Sequence, residues 1–192
     1  KKKQLFGKVY KEQFIDMGLK TDLRKLPKFL KKFFNKPALF LDRDGVINKD
    51  IGYLHQIRKV IWRKNIFNFI KKFNEKNFYV FIISNQSGIG RGLYKEKDVE
   101  NLHAWMLKII RSNGANIDSI FYAPYYKFSK LKKYKKNQSL RKPNTGMIDL
   151  AKKKWDIDLK KSLLIGDQLT DKQTAINIGM KYKILQFNSK LI

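Results

Sequence analysis

The stretch that decides the fold is ALFLDRDGVIN, from Ala38 to Asn48. Its four apolar residues precede two carboxylates, Asp42 and Asp44, and then a glycine, Gly45. A short unbroken apolar run is typical of a strand that is buried on both faces of a parallel sheet. Burying charged groups at the end of such a strand lowers stability, so their presence indicates a chemical role. Gly45 lets the backbone turn sharply after them. We therefore predict a strand that brings two acids to one edge of a sheet.

Strand-like and helical segments alternate along the rest of the chain. Apolar runs occupy residues 78–84, 117–123, 162–167 and 182–187, and helical patterns occupy residues 64–77, 96–114, 145–155 and 171–179. This alternation predicts a doubly wound α/β fold around a parallel sheet, in which ligands bind beyond the carboxyl ends of the strands. Three strands have polar residues at that edge: Asp42 with Asp44, Ser84 to Gln86, and Asp167.

Composition limits the class of protein. The chain has 192 residues, of which 43% are hydrophobic, so we expect one domain with a normal core and at most a small appendage. Cysteine is absent, which excludes disulfides and thiolate metal sites. No apolar run is long enough to span a bilayer and no signal-peptide pattern is present, so we expect a cytoplasmic protein with no membrane partner. We also expect a monomer.

The net charge of +27 permits two interpretations. It indicates either a nucleic-acid partner or a composition rich in lysine without a specific cause. Lysines are spread along the whole chain, so we favour the second interpretation and keep nucleic acid as an alternative. A positive field would also speed the encounter with a phosphorylated substrate.

The first 36 residues differ from the remainder. They are basic and show a helical pattern from Leu23 to Phe34, which Pro37 ends. We predict a helical extension at 1–36 and a catalytic domain at 37–192. The segment KEQFIDMGLKTDLRK resembles the end of sugar nucleotidyltransferases, so the extension is either the tail of such a domain or, as we favour, a plain amphipathic segment.

Paired acids at a strand end suit phosphoryl transfer. Asp42 is placed to attack phosphorus, and Asp44 to protonate the leaving oxygen and then activate water. Two carboxylates and a phosphate repel one another, so a divalent cation is required. Asp167, with Asp171 as an additional candidate, offers hard oxygen ligands that suit Mg²⁺.

Donors for the charge on the phosphoryl group follow two other strands. They are the Ser84 hydroxyl, the backbone N–H groups around Asn85, and the cations Arg141 and Lys142. His55 lies near the predicted mouth of the site, where substrate contact and simple solvation stay open. His103 lies inside a helix, and we expect a structural role.

Four segments, DRDGVIN, ISNQSGIGRG, RKPNTGM and LLIGDQLTD, occur in this order. Together they resemble the motifs of the haloacid dehalogenase-like phosphatases, over roughly Ala38 to Phe187. Within that family the chain resembles the branch of the heptose 1,7-bisphosphate phosphatases and histidinol-phosphatases. The resemblance implies a Rossmann-like sheet with a minimal cap and a Mg²⁺-dependent mechanism through an aspartyl-phosphate.

The resemblance also implies residue roles. Asp42 would be nucleophile and metal ligand, Asp44 would be acid/base and bind Mg²⁺ through its carbonyl, and Asp167 would complete the metal site. Contacts with the phosphates or the sugar would come from a larger set: Asp50, Ile51, Gly52, Tyr53, Ser84, Asn85, Gln86, Ser87, Arg141, Lys142 and Gln168.

Two departures from the family pattern affect specificity. Members usually carry a zinc loop of cysteines and a histidine before the RKP segment, but residues 124–140 contain neither, so no Zn²⁺ is expected. This loop is then either mobile or held by tyrosines: Tyr122, Tyr125, Tyr126 and Tyr134. The second departure is Gln168, where the heptose enzyme often has a lysine that contacts the substrate.

The resemblance therefore predicts a Mg²⁺-dependent phosphatase for a small sugar phosphate. D-glycero-D-manno-heptose 1,7-bisphosphate, on a route to surface polysaccharide or lipopolysaccharide, is the expected substrate. Histidinol phosphate and a polynucleotide 3′-phosphate are the alternatives, and the second would use the high charge. A basic binding protein with a relic site is a further alternative, against which the intact acids argue.

Overall fold

The structure, a computed structural model, describes Gly7, Gly18 and residues 20–191 apart from the side chain of Lys32. The chain divides into two compact units, Lys1–Phe34 and Asn35–Ile192. In the first unit, helix α1 (Lys20–Phe34) covers the predicted helical segment and begins three residues earlier. Most of the segment that resembles nucleotidyltransferases lies outside the described residues.

Strands and helices alternate in the described part of the second unit. In chain order they are β1 (Ala38–Leu41), α2 (Ile66–Glu75), β2 (Tyr79–Asn85), α3 (Ser87–Gly90), α4 (Glu96–Ser112), β3 (Ser119–Ala123), α5 (Lys132–Lys135), α6 (Gly146–Lys154), β4 (Leu163–Gly166), α7 (Leu169–Ile178) and β5 (Lys181–Ile184). Each predicted strand and helix is present, with its ends shifted by a few residues. Among the described residues, no helix combines the length and apolarity needed to cross a membrane.

The five strands form one parallel sheet in the order β3-β2-β1-β4-β5. In the register of the central strand, Phe40 is paired with Phe81 of β2 on one side and with Leu164 of β4 on the other. The chain builds the sheet outward from β1 through β2 to β3, and then returns to the opposite side of β1 with β4. The predicted doubly wound α/β fold is confirmed, and β1 and β4 flank the point where the strand order reverses, which is where such sheets bind ligands.

Each face of the sheet has its own apolar core. Leu39 and Leu41 of β1 pack with residues of α2 and α4, whereas Ala38 and Phe40 pack with residues of α6 and α7. All four residues of β1 are fully buried, which explains why the strand is apolar without interruption. A rigid strand with both faces covered therefore carries the acids that follow it.

Candidate active site

A cleft of about 500 Å³ opens where β1, β2 and β4 end. Most site residues predicted from the sequence line this cleft: Asp42, Asp44, Asp50, Gly52, Tyr53, Ser84, Asn85, Gln86, Ser87, Arg141, Lys142, Asp167 and Gln168. Ile51, also predicted to contact the substrate, and Asp171, the additional metal candidate, are not part of its lining. Tyr94 and Thr170 complete the lining. A larger groove of about 880 Å³ lies between α2 and residues 187–191 and contains none of these acids. The cleft is therefore the place where the chemical groups converge.

Lys142 is the buried cation of the cleft. Its Nζ lies 2.9 Å from Oδ2 of Asp42 and 2.5 Å from Oδ1 of Asp171, and it also donates to the Ile83 carbonyl at 3.3 Å. Burial alone would lower the pKa of Lys142, but the two carboxylates outweigh burial and raise it, so the ammonium group stays charged. A fixed positive charge thus stands beside the Asp42 carboxylate.

Asp42 sits in an environment that resists ionisation. Burial raises its pKa to about 8, because the positive charge of Lys142 only partly offsets desolvation and the nearby Asp171 opposes it. The backbone of Asp42 still belongs to the sheet, since its N–H donates to the Ile165 carbonyl at 2.9 Å. A carboxylate that is fixed at a strand end and little solvated is suited to nucleophilic attack once a further cation stabilises it.

Asn85 holds the lysine in place from the end of β2. Its Nδ2 donates to the Lys142 carbonyl at 3.1 Å, and its Oδ1 accepts from the Lys142 N–H at 3.0 Å. The Asn85 amide therefore contacts protein backbone, although the sequence predicted contacts with phosphate or sugar for this residue. Its geometry is that of a positioning residue.

Asp44 lies in a cradle of donors. Arg43, which is fully buried, donates from Nη2 at 2.8 Å and from Nε at 3.1 and 3.2 Å. Asn48 donates at 2.9 Å and Gln86 at 3.1 Å. The remaining Arg43 donors contact the Leu54 carbonyl at 2.9 Å and Nε2 of His103 at 3.0 Å, so the guanidinium group is anchored on both sides. This cradle restricts Asp44 to one orientation in the cleft.

A polar chain connects Ser84 to the floor of the cleft. Gln86 donates from Nε2 to the Ser84 hydroxyl at 2.7 Å, and its Oε1 accepts from the Tyr94 hydroxyl at 2.9 Å. Tyr94 comes close because Gly88 has no side chain; an added Cβ there would collide with the Tyr94 ring. His55 stacks on the same ring at 4.7 Å between centroids. These contacts fix Gln86, and through it the Ser84 hydroxyl.

The acids of the cleft fit a hard divalent cation. Oδ1 of Asp167 is buried and has no hydrogen-bond partner, and oxygens of Asp42, Asp167 and Asp171 lie within 4.8 Å of one another. Asp171 uses both oxygens on protein donors, Lys142 Nζ and the Gln168 N–H at 3.1 Å. Asp42 also contacts protein donors with both oxygens, the Arg43 N–H at 2.7 Å and Lys142 Nζ at 2.9 Å. Oδ1 of Asp167 is therefore the oxygen of this cluster that has no protein donor, and Asp171 holds the lysine.

The turn after the catalytic strand brings Asp167 close to the backbone. Gly45 has φ +83°, and a Cβ at this position would collide with the Asp167 carboxylate. The buried guanidinium group of Arg63 holds the same turn, because it donates to the carbonyls of Gly45 at 2.8 Å and Val46 at 2.7 Å. The glycine of the opening motif therefore makes room for the acid from β4 in addition to turning the chain.

Comparisons with known proteins agree with this geometry. A family model described as polynucleotide kinase 3 phosphatase matches residues 56–186. The D-glycero-beta-D-manno-heptose-1,7-bisphosphate 7-phosphatase of Rhodopseudomonas palustris is 42% identical over 146 residues, which are 76% of this chain and 81% of the relative. The corresponding alpha-heptose enzyme of Burkholderia mallei is 39% identical over 148 residues, which are 77% of this chain and 78% of the relative.

The chain belongs to the haloacid dehalogenase-like phosphatases. Within them it is a member of the polynucleotide kinase 3 phosphatase family, and it hydrolyses phosphate monoesters. A solved structure gives the same fold: the D,D-heptose 1,7-bisphosphate phosphatase of B. bronchiseptica, complexed with magnesium and phosphate. It has a TM-score of 0.67 at 28% identity, over 77% of this chain and 79% of that one.

This phosphatase orders its cysteine-free loop with tyrosines. Tyr134 is 6% exposed and packs in an apolar cluster with Ile89, Tyr94 and Val99, against which Tyr122 also packs. The Tyr126 N–H donates to the Tyr134 carbonyl at 2.9 Å. For residues 124–140, the packing of Tyr134 supports the alternative in which tyrosines hold the loop.

Sequence reasoning missed several residues that shape the phosphatase site. Arg43 stands between the two acids of the opening motif, so its position was a usable signal. Asn48 ends the same motif, four residues after Asp44, so its position was a usable signal as well. Tyr94 and the contact of Asp171 with Lys142 had no such signal, because each joins residues that no single motif contains. His103 is structural, as expected, but its partner is the arginine that orients Asp44.

Proposed function

We propose that this chain is a Mg²⁺-dependent phosphatase that acts on D-glycero-D-manno-heptose 1,7-bisphosphate. One observation supports phosphoryl transfer at this site. Lys142 forms ion pairs with both Asp42 and Asp171, beside a buried Asp167 oxygen that has no hydrogen-bond partner. The names of two relatives at about 40% identity support the substrate. Those names include both anomers, so the proposal covers the beta and the alpha sugar.

In the proposed mechanism, Asp42 attacks the phosphorus atom of the scissile phosphate. A P–O bond forms to Asp42 as the P–O bond to the sugar breaks, and Asp44 gives its proton to the departing alkoxide. Asp44 then takes a proton from a water molecule as the water oxygen attacks phosphorus. The P–O bond to Asp42 breaks, which restores the Asp42 carboxylate and releases inorganic phosphate. Lys142 and the Ser84 hydroxyl balance the charge on the phosphoryl oxygens during both steps.

The acids at the cleft floor would hold the metal. Asp42 and Asp167 would bind Mg²⁺ through side-chain oxygens, and Asp44 through its backbone carbonyl. The ion would supply positive charge that offsets repulsion between the carboxylates and the phosphate. Asp171 stays with Lys142 and keeps the ammonium group directed at Asp42.

Loop residues are proposed to contact the sugar. Asp50 accepts from the Gly52 N–H at 2.8 Å, which shapes the turn that presents the half-exposed Tyr53. Gln168 and Ser87 line the same cleft. The route to surface polysaccharide or lipopolysaccharide follows from the proposed substrate. The monomeric state, the cytoplasmic location and the division into an extension at 1–36 and a catalytic domain stay predictions.

A polynucleotide 3′-phosphate is the second candidate substrate. The matching family model carries that description, and a net charge of +27 would favour a nucleic-acid substrate. A phosphate-release screen separates the candidates. It compares the two heptose 1,7-bisphosphates, histidinol phosphate and a 3′-phosphorylated oligonucleotide, each with Mg²⁺ and with a chelator.

We expect turnover of a heptose bisphosphate that depends on Mg²⁺ and survives moderate salt. Preference for the oligonucleotide, with a steep fall in rate as salt is added, would contradict the proposed substrate. In the same assay we expect Asp42→Asn to abolish turnover, and an Asp42→Asn variant with full activity would refute the covalent mechanism.

A further inference from the structure

We infer that Arg91, held against Tyr126, forms a second anion subsite with Arg141 and binds the substrate phosphate that is not hydrolysed. This inference rests on the proposed function, because it concerns a substrate with two phosphates. It assigns a role to a residue that lies outside the cleft around Asp42. It also gives the cysteine-free loop a part in substrate selection.

Arg91 is held by an aromatic ring of that loop. Its guanidinium carbon lies 3.8 Å from the centroid of the Tyr126 ring and 5.9 Å from that of Tyr53. The loop and the turn that carries Arg91 are joined directly, since the Gly90 N–H donates to the Pro124 carbonyl at 3.0 Å. A Cβ at Gly90 would meet this carbonyl and the Tyr126 side chain, so glycine is needed for the close approach. The arginine is thus oriented before any ligand binds.

Two arginines near this position lack an acidic partner. Within the described part of the chain, neither Arg91 nor Arg141 takes part in an ion pair. Nη1 of Arg141 is buried and has no hydrogen-bond partner. Burial lowers the pKa of Arg141, and the positive charge of Arg91 lowers it further, as a nearby like charge does. Arg141 lines the cleft and Arg91 lines the neighbouring cavity, and Tyr53 lines both. Two guanidinium groups on either side of one ring, neither with an acidic partner, are complementary to a phosphate dianion.

The second subsite adjoins the catalytic cleft. A cavity of about 470 Å³ is lined by Arg91, Tyr126, the exposed Phe128 and Tyr53, and Tyr53 also lines the cleft around Asp42. In-line attack by Asp42 requires the leaving sugar to extend away from the nucleophile. A sugar that lies across Tyr53 would bring its far phosphate to Arg91 and Arg141. A monophosphate would leave this subsite without an anion.

The test compares one sugar with and without its second phosphate. For Arg91→Gln we expect KM for the heptose 1,7-bisphosphate to rise about 10- to 100-fold, with kcat changed by less than about 3-fold. The relatives are named 7-phosphatases, so the heptose 7-phosphate keeps the phosphate that is proposed to be hydrolysed and lacks the one at position 1. For this monophosphate we expect kcat/KM to change by less than about 3-fold. Tyr126→Leu removes the ring under Arg91 and should act in the same direction by about 3- to 10-fold.

Arg111→Gln is the matched control. It removes one exposed positive charge at the end of α4, so it reports the effect of net charge alone. We expect KM and kcat to stay unchanged with both substrates. Equal losses for the two substrates with Arg91→Gln, or no loss with the bisphosphate, would overturn the inference. An effect of Arg91→Gln on a 3′-phosphorylated oligonucleotide but not on the bisphosphate would also overturn it.

Binding separates failure of the subsite from failure of the proposed function. In an Asp42→Asn background, the bisphosphate should bind at least 10-fold more tightly than the monophosphate, and Arg91→Gln should remove that difference. Equal binding of the two sugars before the Arg91 change would overturn the subsite even if turnover is seen. An Arg91-dependent preference for the bisphosphate in a chain that turns over neither sugar would support the subsite and contradict the proposed reaction.

Discussion

The side-chain amide of Asn85 is bound to both polar groups of the Lys142 backbone, at 3.1 Å to its carbonyl and 3.0 Å to its N–H. Asn85 ends β2, whereas Lys142 lies on the long segment between β3 and α6. The pair therefore joins the sheet to the loop that supplies the cation of the site. The position of the Lys142 ammonium group depends on a residue that makes no contact with it.

Asn85→Ala tests this positioning role. Loss of two partly buried hydrogen bonds should lower the free energy of unfolding by about 2 kcal/mol. Because Lys142 would lose its orientation toward Asp42, we expect kcat to fall by about 10²-fold while KM changes by less than about 3-fold. Steady-state kinetics and urea unfolding give the two quantities. A variant that loses stability but keeps its kcat would contradict the role.

Asp171→Asn tests the buried partner of Lys142. The asparagine keeps an acceptor for the Gln168 N–H, but it leaves the buried ammonium group with one carboxylate fewer. We expect the free energy of unfolding to fall by about 3 kcal/mol, and activity to fall as well. Asp149→Asn is the control, since Asp149 forms an exposed pair with Lys152 at 3.4 Å and should change stability by less than about 1 kcal/mol. Similar stabilities for both variants in urea would show that the buried pair is not needed.

Gly45→Ala tests the approach of Asp167 to the turn. The new methyl group would displace the Asp167 carboxylate, so we expect the Mg²⁺ concentration for half-maximal activity to rise about 10-fold. Gly179→Ala is the matched control, because Gly179 has φ +70° and open space around it. Both variants should lose about 1 kcal/mol from backbone strain, but only Gly45→Ala should need more Mg²⁺. An equal Mg²⁺ requirement in the two variants would contradict the prediction.

The buried His103 should make the free energy of unfolding depend on pH. Burial and the positive charge of Arg43 lower its pKa from 6.5 to about 3, and the Tyr122 ring lies against it at 5.5 Å. The folded state keeps His103 neutral while the unfolded state takes up a proton below about pH 6.5, so stability falls as the pH falls toward 3. Between pH 7 and pH 5 this group should remove about 2 kcal/mol from the free energy of unfolding.

His103→Gln keeps an acceptor for Nη1 of Arg43 but does not titrate in this range. Urea midpoints at pH 7 and pH 5 should therefore differ less in the variant than in the unmodified chain. Equal differences in the two proteins would show that His103 is not the group responsible.

The sequence by itself determined the order of strands and helices, because strands that are buried on both faces must be apolar throughout and helices need a spaced apolar face. It also predicted that Asp42, Ser84 and Asp167 meet, because carboxyl ends of parallel strands share one edge. Residues such as Arg43, adjacent to the acids, could have been found in the same way.

Only the tertiary structure decided how these groups are used. Asn85 binds the Lys142 backbone, Asp171 binds the Lys142 ammonium group, and His103 contacts Arg43, which orients Asp44. These partners are 29 to 60 positions apart in the chain. Their pairing depends on the distance between them in the folded chain and on the exclusion of water from the contact. Neither the periodicity of the sequence nor a local motif encodes these two quantities.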